Sequence, residues 1–325
     1  MQVSNDGPPP SGAGDCGILY VATGAACRAE AVVSARSVKA AWPEIPIAIK
    51  TDGPVDPDCF DQIDLIADEP DNLAKVRHLE NTPFARTLFL DSDTYCLAAM
   101  PELFGVLDRF DLAAAHEAGR FATRWEADTE VFIRAPGLPE SFIEYNTGVM
   151  AFRRNGEVFK MFARWLDLCE EAGRAEITCT QDQPSFRRAI YESGLQVAVL
   201  PPEYNFRLVS SGFARGPIKL IHGRWIYDPI GETPEQIFAT LARTFNENTG
   251  PRVFVHAFGM ICGHGPSAIP FDDPKRTCIL GETNEVQSLT EEVDALRREL
   301  QAMKQSKSWK VTRPLRLLRR RFFDL

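Results

Sequence analysis

The sequence predicts an α/β fold in which a mostly parallel central sheet is flanked by helices. Apolar segments of strand length alternate at short spacing with helical segments over residues 17–90. The chain has 325 residues, of which 44% are hydrophobic, so it is long enough for one large α/β domain with a substantial core. Two acidic residues, Asp91 and Asp93, directly follow one predicted strand. Together these observations predict a ligand site at the edge where the parallel strands end.

The first predicted elements follow from short apolar runs bounded by turn residues. The predicted strands are Gly17–Thr23, Ile45–Lys50, Gln62–Ala67 and Thr87–Leu90. The predicted helices between them are the alanine-rich Ala25–Ala41 and the shorter Leu73–Leu79. Trp42 and Pro43 mark the end of the first helix, because proline cannot continue a helix.

The second half of the predicted body continues this alternation. Further strands are predicted at Asp111–Ala115, Val149–Phe152, Gln196–Leu200, Lys219–Ile221 and Arg252–His256. Further helices are predicted at Pro101–Leu107, Val158–Glu171, Gln183–Ser193 and Pro234–Phe245. The helix Val158–Glu171 carries apolar residues at helical spacing, so we expect one of its faces to pack on the sheet. Arg120–Pro139 lacks such periodicity and is predicted to be a loop.

The overall charge is acidic, with a formal net charge of −9 at pH 7. Such a chain lacks the broad positive surface that binds phosphate backbones, so we expect no nucleic-acid partner. Its eight cysteines include no C-x-x-C pair and no arrangement with histidine that is typical of zinc sites. We therefore expect reduced thiols and a cytoplasmic location. No stretch approaches the roughly 18–20 apolar residues of a membrane-spanning helix.

The predicted domain body covers residues 16–275, and its flanks differ from it in composition. Residues 1–15 are rich in Gly, Pro and Ser and have no apolar run, which predicts a disordered leader. In residues 282–304, apolar residues are spaced 3, 4, 3, 4 and 3 apart, at Val286, Leu289, Val293, Leu296, Leu300 and Met303. This heptad pattern predicts a coiled coil and a homo-oligomer, and the alternative is a single amphipathic helix docked on the body.

Residues 305–325 form a basic tail with large apolar residues among the charges. The segment Lys304–Arg321 contains eight Lys or Arg residues and no acid. Trp309, Leu315 and Phe322 are among the apolar residues that interleave with them. This mixture favours contact with an anionic membrane surface, which would place the protein peripherally on the inner face of the membrane. The alternative, a solvated basic tail, explains the charges but not the clustered apolar groups.

Asp91 and Asp93 are spaced i, i+2 at the end of the predicted strand Thr87–Leu90. In extended backbone this spacing points both side chains to one face, where the two carboxylates repel each other. A divalent cation removes that repulsion, and Mg²⁺ and Mn²⁺ both favour oxygen ligands. An ion held by few side chains keeps positions open for phosphate oxygens, so we expect a diphosphate ligand. The alternative is a solvated turn, because Asp-x-Asp is common by chance.

Six short blocks occur in a fixed order along the body: Tyr20–Gly24, Pro83–Thr94, Tyr145–Val149, Asp182–Pro184, Leu200–Asn205 and Ile221–Gly223. With these blocks the chain resembles nucleotide-diphospho-sugar transferases of the GT-A fold, and those of glycosyltransferase family 8 in particular. The resemblance implies a Rossmann-like, mostly parallel sheet followed here by the helical tail. The tail element Ser308–Arg316 also resembles a C-terminal motif of bacterial surface-polysaccharide glycosyltransferases.

The resemblance implies a metal site built from Asp91, Asp93 and a histidine of a late strand. His222 matches that histidine by the order of the blocks, with His256 and His264 as alternatives. A neutral imidazole among the ligands fits Mn²⁺ better than Mg²⁺, and both ions stay open.

The resemblance also implies a set of nucleotide-binding residues. They are Ala22, Thr23, Gly24, Asp52, Lys75, Asp91, Ser92 and Arg224. Small residues after the first strand let the base and ribose approach the backbone, although an ordinary strand-to-helix turn has the same composition. Asp52 stands where this fold contacts uracil.

Two basic residues are expected to meet the diphosphate. Lys75 would act as a point charge on phosphate, with Arg77 as the alternative and a solvated helix lysine as the plainer interpretation. After the histidine, the family pattern continues with Gly, Lys, Pro and Trp, whereas this chain has Gly223, Arg224 and Trp225. Arg224 could replace the lysine, because its planar guanidinium also suits phosphate.

On the sugar side, the resemblance implies Asn146, Asp182 and Gln183 as catalytic residues. An amide and a carboxylate can hydrogen-bond the donor's hydroxyls and fix the orientation of its ring. The alternatives are a turn role for Asn146 and an N-cap role for Asp182 ahead of the helix Gln183–Ser193.

We therefore expect a metal-dependent enzyme that moves a hexose from a nucleotide-diphospho-sugar, by resemblance a UDP-linked one, with retention of configuration. The expected acceptor is a glycan or a lipid-linked glycan. One alternative is a nucleotidyltransferase, which also needs paired carboxylates. The other is a non-catalytic nucleotide-sugar-binding scaffold that assembles at the membrane through its heptad helix and basic tail.

Overall fold

The computed structural model describes residues 15–67, 71, 73–117, 138–139, 141–174, 182–207, 212–223, 236, 242–243, 245–246, 251–255 and 267–270. Several predicted segments lie outside the described residues: the leader apart from residue 15, the heptad helix at 282–304, the basic tail at 305–325, the loop Arg120–Pro139 apart from 138–139, and most of the helix Pro234–Phe245. These remain predictions.

The described strands and helices follow the predicted alternation. The strands are β1 (Cys16–Ala22), β2 (Ile47–Thr51), β3 (Gln62–Leu65), β4 (Arg86–Leu90), β5 (Thr94–Cys96), β6 (Leu112–His116), β7 (Tyr145–Arg153), β8 (Val197–Leu200), β9 (Phe206–Arg207), β10 (Gly212–Ala214), β11 (Leu220–His222), β12 (Arg252–Val255) and β13 (Ser267–Pro270). The helices are α1 (Ala25–Ala41), α2 (Ala74–His78), α3 (Glu102–Val106), α4 (Gly156–Arg174) and α5 (Gln183–Glu192).

The central sheet has seven strands in the order β3-β2-β1-β4-β7-β6-β8. The pairs β2–β3, β1–β2, β1–β4 and β6–β8 are parallel, whereas β7 runs antiparallel to both β4 and β6. The predicted α/β class, with a mostly parallel central sheet and flanking helices, is confirmed. The carboxyl ends of β1, β2 and β4 therefore lie at one edge of the sheet, and this edge carries the site.

Both faces of the sheet are covered, as a mostly parallel sheet requires. Along β1, Ile18 and Tyr20 belong to the core that contains the small residues of α1, whereas Leu19 belongs to the core that contains Trp165 of α4 and Phe186 of α5. Successive side chains of a strand point to opposite faces, so one strand serves both cores. No helix among the described residues is long and apolar enough to cross a membrane.

Two short sheets were not predicted from the sequence. One has the order β5-β11-β9, with β11 antiparallel to β5 and parallel to β9, and the other has the order β10-β12-β13. In the first, His222 of β11 is registered with Thr94 of β5. Because Thr94 follows Asp93 directly, this pairing carries a late histidine to the acidic pair.

The start of β7 differs from the prediction. The predicted strand began at Val149, with Asn146 to Gly148 leading into it, but the ladder begins at Tyr145. The three polar or small residues are buried within the strand. These residues have the composition of a turn, but they belong to the part of β7 that borders the candidate active site.

Candidate active site

The acidic pair lies in a tight turn between β4 and β5. The Asp91 N–H donates to the carbonyl of Gly148 on β7 (2.7 Å), and the Thr94 hydroxyl donates to the Asp91 carbonyl (2.9 Å). Ser92, between the two acids, donates its hydroxyl to Glu30 on α1 (3.0 Å). The turn is thus tied to the neighbouring strand and to helix α1, which limits the positions of both carboxylates.

Asp91, Asp93 and His222 lie together. One ligand atom from each of them lies within 4.8 Å of the other two. The Nε2 atom of His222 is 3.3 Å from Asp93 Oδ1 and 3.8 Å from Asp91 Oδ2, and the imidazole is almost fully buried. A solvated turn with an aspartate at each end does not account for the buried imidazole beside both carboxylates.

These three side chains fit a divalent ion. Ligand atoms about 2.1 Å from one ion lie up to about 4.2 Å apart, and both His222 distances fall within that span. Burial raises the pKa of Asp91 above its usual value; Lys75 and His222 oppose this effect, and Asp93 adds to it. A bound cation would stabilise the ionised form of this desolvated carboxylate.

Lys75, on α2, connects Asp91 of the acidic pair to Thr147 and Asp182. Its Nζ lies 3.3 Å from Asp91 Oδ1 and 3.2 Å from Asp182 Oδ2, and it donates to the Thr147 hydroxyl at 3.1 Å. Burial lowers the pKa of Lys75, but the charges of Asp182 and Asp91 outweigh this and raise it. The side chain is therefore a buried ammonium at the site, and the solvated-helix interpretation does not apply to it.

Asp182 immediately precedes α5 but its side chain does not cap that helix. Its Oδ2 accepts the Thr147 hydroxyl at 2.7 Å, and its carbonyl accepts the Trp165 indole N–H at 2.9 Å. The carboxylate thus faces Lys75 across the site. Arg77, the alternative to Lys75, instead pairs with the exposed Asp71 at 2.6 Å.

Asn146 and Gln183 are buried and hydrogen-bond each other, with Asn146 Nδ2 donating to Gln183 Oε1 at 2.9 Å. Gln183 Nε2 donates onward to Glu144 Oε1 at 3.0 Å. The Asn146 oxygen accepts the Gly148 N–H at 3.1 Å. Both amides are thus engaged in hydrogen bonds inside the protein.

The predicted nucleotide residues lie at the ends of β1 and β2. Ala22 ends β1, Thr23 is buried, and Gly24 has a φ of 83°, a conformation that favours glycine. The Gly24 N–H donates to Asp52 Oδ2 at 2.9 Å, and Arg28 pairs with the other oxygen. Burial raises the pKa of Asp52, but these two donors more than offset it, so the pKa lies below the usual value.

Three residues of the site had no role assigned to them from the sequence. Thr147 links Lys75 to Asp182, Gly148 lies against His222 and Asp91, and Asn205 accepts a hydrogen bond from His222. All three belong to blocks that carried the resemblance, and that was the available signal. Arg224, His256 and His264 lie outside the described residues.

Comparison with known proteins returned solved structures only, since no family model and no curated protein matches the chain. A galactosyltransferase, LgtC, in complex with donor and acceptor sugar analogs is 17% identical over 70% of this chain and 95% of its own, with a TM-score of 0.48. The glycosyltransferase GlyE of Streptococcus pneumoniae TIGR4 is 16% identical, over 59% and 47%, with a TM-score of 0.44.

A third solved structure, the bifunctional glycosyltransferase WbbM in its apo form, is 14% identical over 62% of this chain and 41% of its own, with a TM-score of 0.46. At these identities and scores, inferences about the chemistry of this chain rest on its own residues. The three solved proteins are glycosyltransferases, the class that the sequence blocks of this chain resemble.

Proposed function

We propose that this protein is a divalent-metal-dependent glycosyltransferase that moves a hexose from a nucleotide-diphospho-sugar, taken to be UDP-linked, to a hydroxyl of a glycan or lipid-linked acceptor. The observation that carries the proposal is the convergence of Asp91, Asp93 and His222 beside the buried ammonium of Lys75. Two carboxylates and one imidazole suit Mn²⁺, with Mg²⁺ as the alternative ion. UDP and the acceptor class are supported by the resemblance alone.

Different residues of the site would interact with the diphosphate and with the sugar of the donor. When bound, the ion would act as a Lewis acid toward the charge that builds on the departing diphosphate. Lys75 supplies a second positive charge on the same side, fixed by Asp91 and Asp182. Asp182 would accept hydrogen bonds from hydroxyls of the donor sugar and so orient its ring.

We propose that transfer occurs with retention, by attack on the face that the leaving group departs from. The bond between the anomeric carbon and the phosphate oxygen breaks, the acceptor oxygen bonds to that carbon, and its proton passes to the departing phosphate. The amide of Gln183 is held inside the protein by Asn146 and Glu144, which disfavours a role for it as nucleophile.

A panel of ligands tests the class of donor. We expect the melting temperature of the full chain to rise only when a UDP-hexose and Mn²⁺ are both present, because an ion held by Asp91, Asp93 and His222 would offset the charge of the donor's diphosphate. At a hundred times its Kd, a ligand adds about 2.7 kcal/mol to the free energy of unfolding, which corresponds to a rise of about 5 °C or more. Stabilisation by nucleoside triphosphates but by no nucleotide sugar would instead favour a nucleotidyltransferase.

Replacing Lys75 by methionine separates donor binding from metal binding. We expect the KM for the UDP-hexose to rise about tenfold to a hundredfold, since one charge-assisted contact to phosphate is lost. Mn²⁺ alone should bind at least as tightly as before, because Asp91 loses a competing cation. Lys160→Met is the matched control, since Lys160 is exposed and pairs only locally with Glu157. If Lys75→Met and Lys160→Met change the KM for the UDP-hexose equally, Lys75 does not contact the donor.

A further inference from the structure

A chain of buried amide side chains lies behind His222. Asn205 Oδ1 is 2.8 Å from His222 Nδ1, and Asn205 Nδ2 is 2.9 Å from Asn146 Oδ1. Asn146 continues to Gln183, as described above. The exposed fractions are 3% for Asn205, 1% for Asn146 and 4% for Gln183, so water does not substitute for these contacts.

The direction of the hydrogen bonds follows from one backbone group. The Gly148 N–H can only donate, and it donates to Asn146 Oδ1, which is therefore the oxygen. The same oxygen faces Asn205, so Asn205 presents its NH₂ group to Asn146 and its own oxygen to His222. That oxygen can only accept, so His222 donates from Nδ1–H.

Of the two neutral tautomers of His222, these contacts select the one with the proton on Nδ1. With the proton on Nδ1, the lone pair of Nε2 faces Asp91 and Asp93, at 3.8 and 3.3 Å. Arg207 Nη1 lies 3.0 Å from both ring nitrogens and can donate to whichever of them carries no proton, so this contact does not by itself distinguish the tautomers. In the Nδ1-protonated ring it donates to Nε2, and a metal ion would replace this hydrogen bond. Asn205 makes the distinction.

We propose that Asn205 is a positioning residue that holds His222 in the Nδ1-protonated tautomer and aims Nε2 at the metal ion. The proposal rests on the metal site of the proposed function. Groups that orient a metal-binding histidine in this way typically contribute about tenfold to a hundredfold to metal affinity.

Two substitutions of Asn205 separate positioning from a merely structural role. Asn205→Ala removes the acceptor for His222, whereas Asn205→Asp keeps it. Both variants lose the hydrogen bond to Asn146: alanine has no donor, and in the aspartate variant a carboxylate oxygen would face the Asn146 oxygen. A structural role predicts equal effects, and positioning predicts that Mn²⁺ affinity falls about tenfold to a hundredfold in the alanine variant only.

Isothermal titration of the full chain with Mn²⁺, without nucleotide, measures this difference. Thr87→Val is the control for the loss of a buried hydrogen bond elsewhere, since Thr87 shares one with Thr82 at 2.6 Å. Equal Mn²⁺ affinity of the two Asn205 variants, or wild-type affinity of the alanine variant, would overturn the proposal. Failure of the wild-type chain to bind Mn²⁺ would instead overturn the metal dependence of the proposed function.

The wild-type protein offers a second measurement that does not depend on the folding of any variant. Long-range proton–nitrogen correlation spectra of the metal-free full chain report which nitrogen of each histidine carries the proton. His222→Gln identifies the signals of His222 by their disappearance. We expect the neutral ring to carry its proton on Nδ1, and a neutral ring with its proton on Nε2 would overturn the proposal.

Discussion

Replacing Asp93 by asparagine should abolish Mn²⁺ binding and reduce sugar transfer about 10³-fold. The change removes the carboxylate that lies closest to His222 Nε2, at 3.3 Å, and keeps the size of the side chain. The rate estimate follows because a Lewis-acidic ion supplies several kcal/mol of transition-state stabilisation, and each 1.4 kcal/mol is a factor of ten. Release of UDP from a UDP-hexose and titration with Mn²⁺ measure the two effects.

The matched control for this change is Asp108→Asn. Asp108 is exposed and pairs with Arg86 at the start of β4 (2.7 Å), whereas Asp93 follows the other end of that strand. Like Asp93→Asn, this control removes one negative charge, and we expect its Mn²⁺ binding and its release of UDP to stay near wild type. If Asp93→Asn keeps transfer within a few fold of wild type, the site is not the catalytic metal centre.

Gly148→Ala should block the proposed metal site, because the added methyl group would press on His222 and Asp91 while all three ligand residues stay the same. A Cβ at this position would lie 2.7 Å from His222 Nε2 and 2.8 Å from Asp91 Oδ2, and nearer still to His222 Cε1. Contacts this short force the ring or the carboxylate to move. We expect the rise in melting temperature caused by Mn²⁺ and UDP-hexose to disappear.

The stability of the Gly148 variant is a separate readout. Overpacking a buried position costs about 1–3 kcal/mol, so the metal-free variant should melt several degrees lower but still cooperatively. Gly173→Ala is the control, because a Cβ there meets nothing within 4 Å. Wild-type Mn²⁺ affinity in the Gly148 variant would mean that the ion does not lie among Asp91, Asp93 and His222.

The local sequence pattern was enough to predict most of the strands of the central sheet and most of the helices. Helix α1 has the predicted bounds, Ala25–Ala41, because an alanine-rich segment ended by Trp42 and Pro43 carries its own start and stop signals. Strand β4 was predicted to within one residue, since an apolar run followed by acids is typical of a buried strand end.

The local sequence pattern did not predict the structure of residues whose contacts come from distant parts of the chain. Asn146, Thr147 and Gly148 resemble a turn in composition, but they lie inside β7, between Tyr145, which is registered with His116 of β6, and Val149, which is registered with Leu90 of β4. Asp182 stands at an N-cap position, but its carboxylate hydrogen-bonds Thr147 and pairs with Lys75 and does not cap the helix. In both cases tertiary contacts outweighed local preference.

The sequence contained the paired carboxylates, their strand and the α/β class, because each depends on residues close together in the chain. The partners of that pair depend on sheet pairing. His222 reaches Asp93 only because β11 pairs with β5, and Asn205 reaches His222 only because β9 begins beside β11. Periodicity describes the surroundings of a residue along one element, whereas a metal centre needs groups from several elements, and packing alone brings those together.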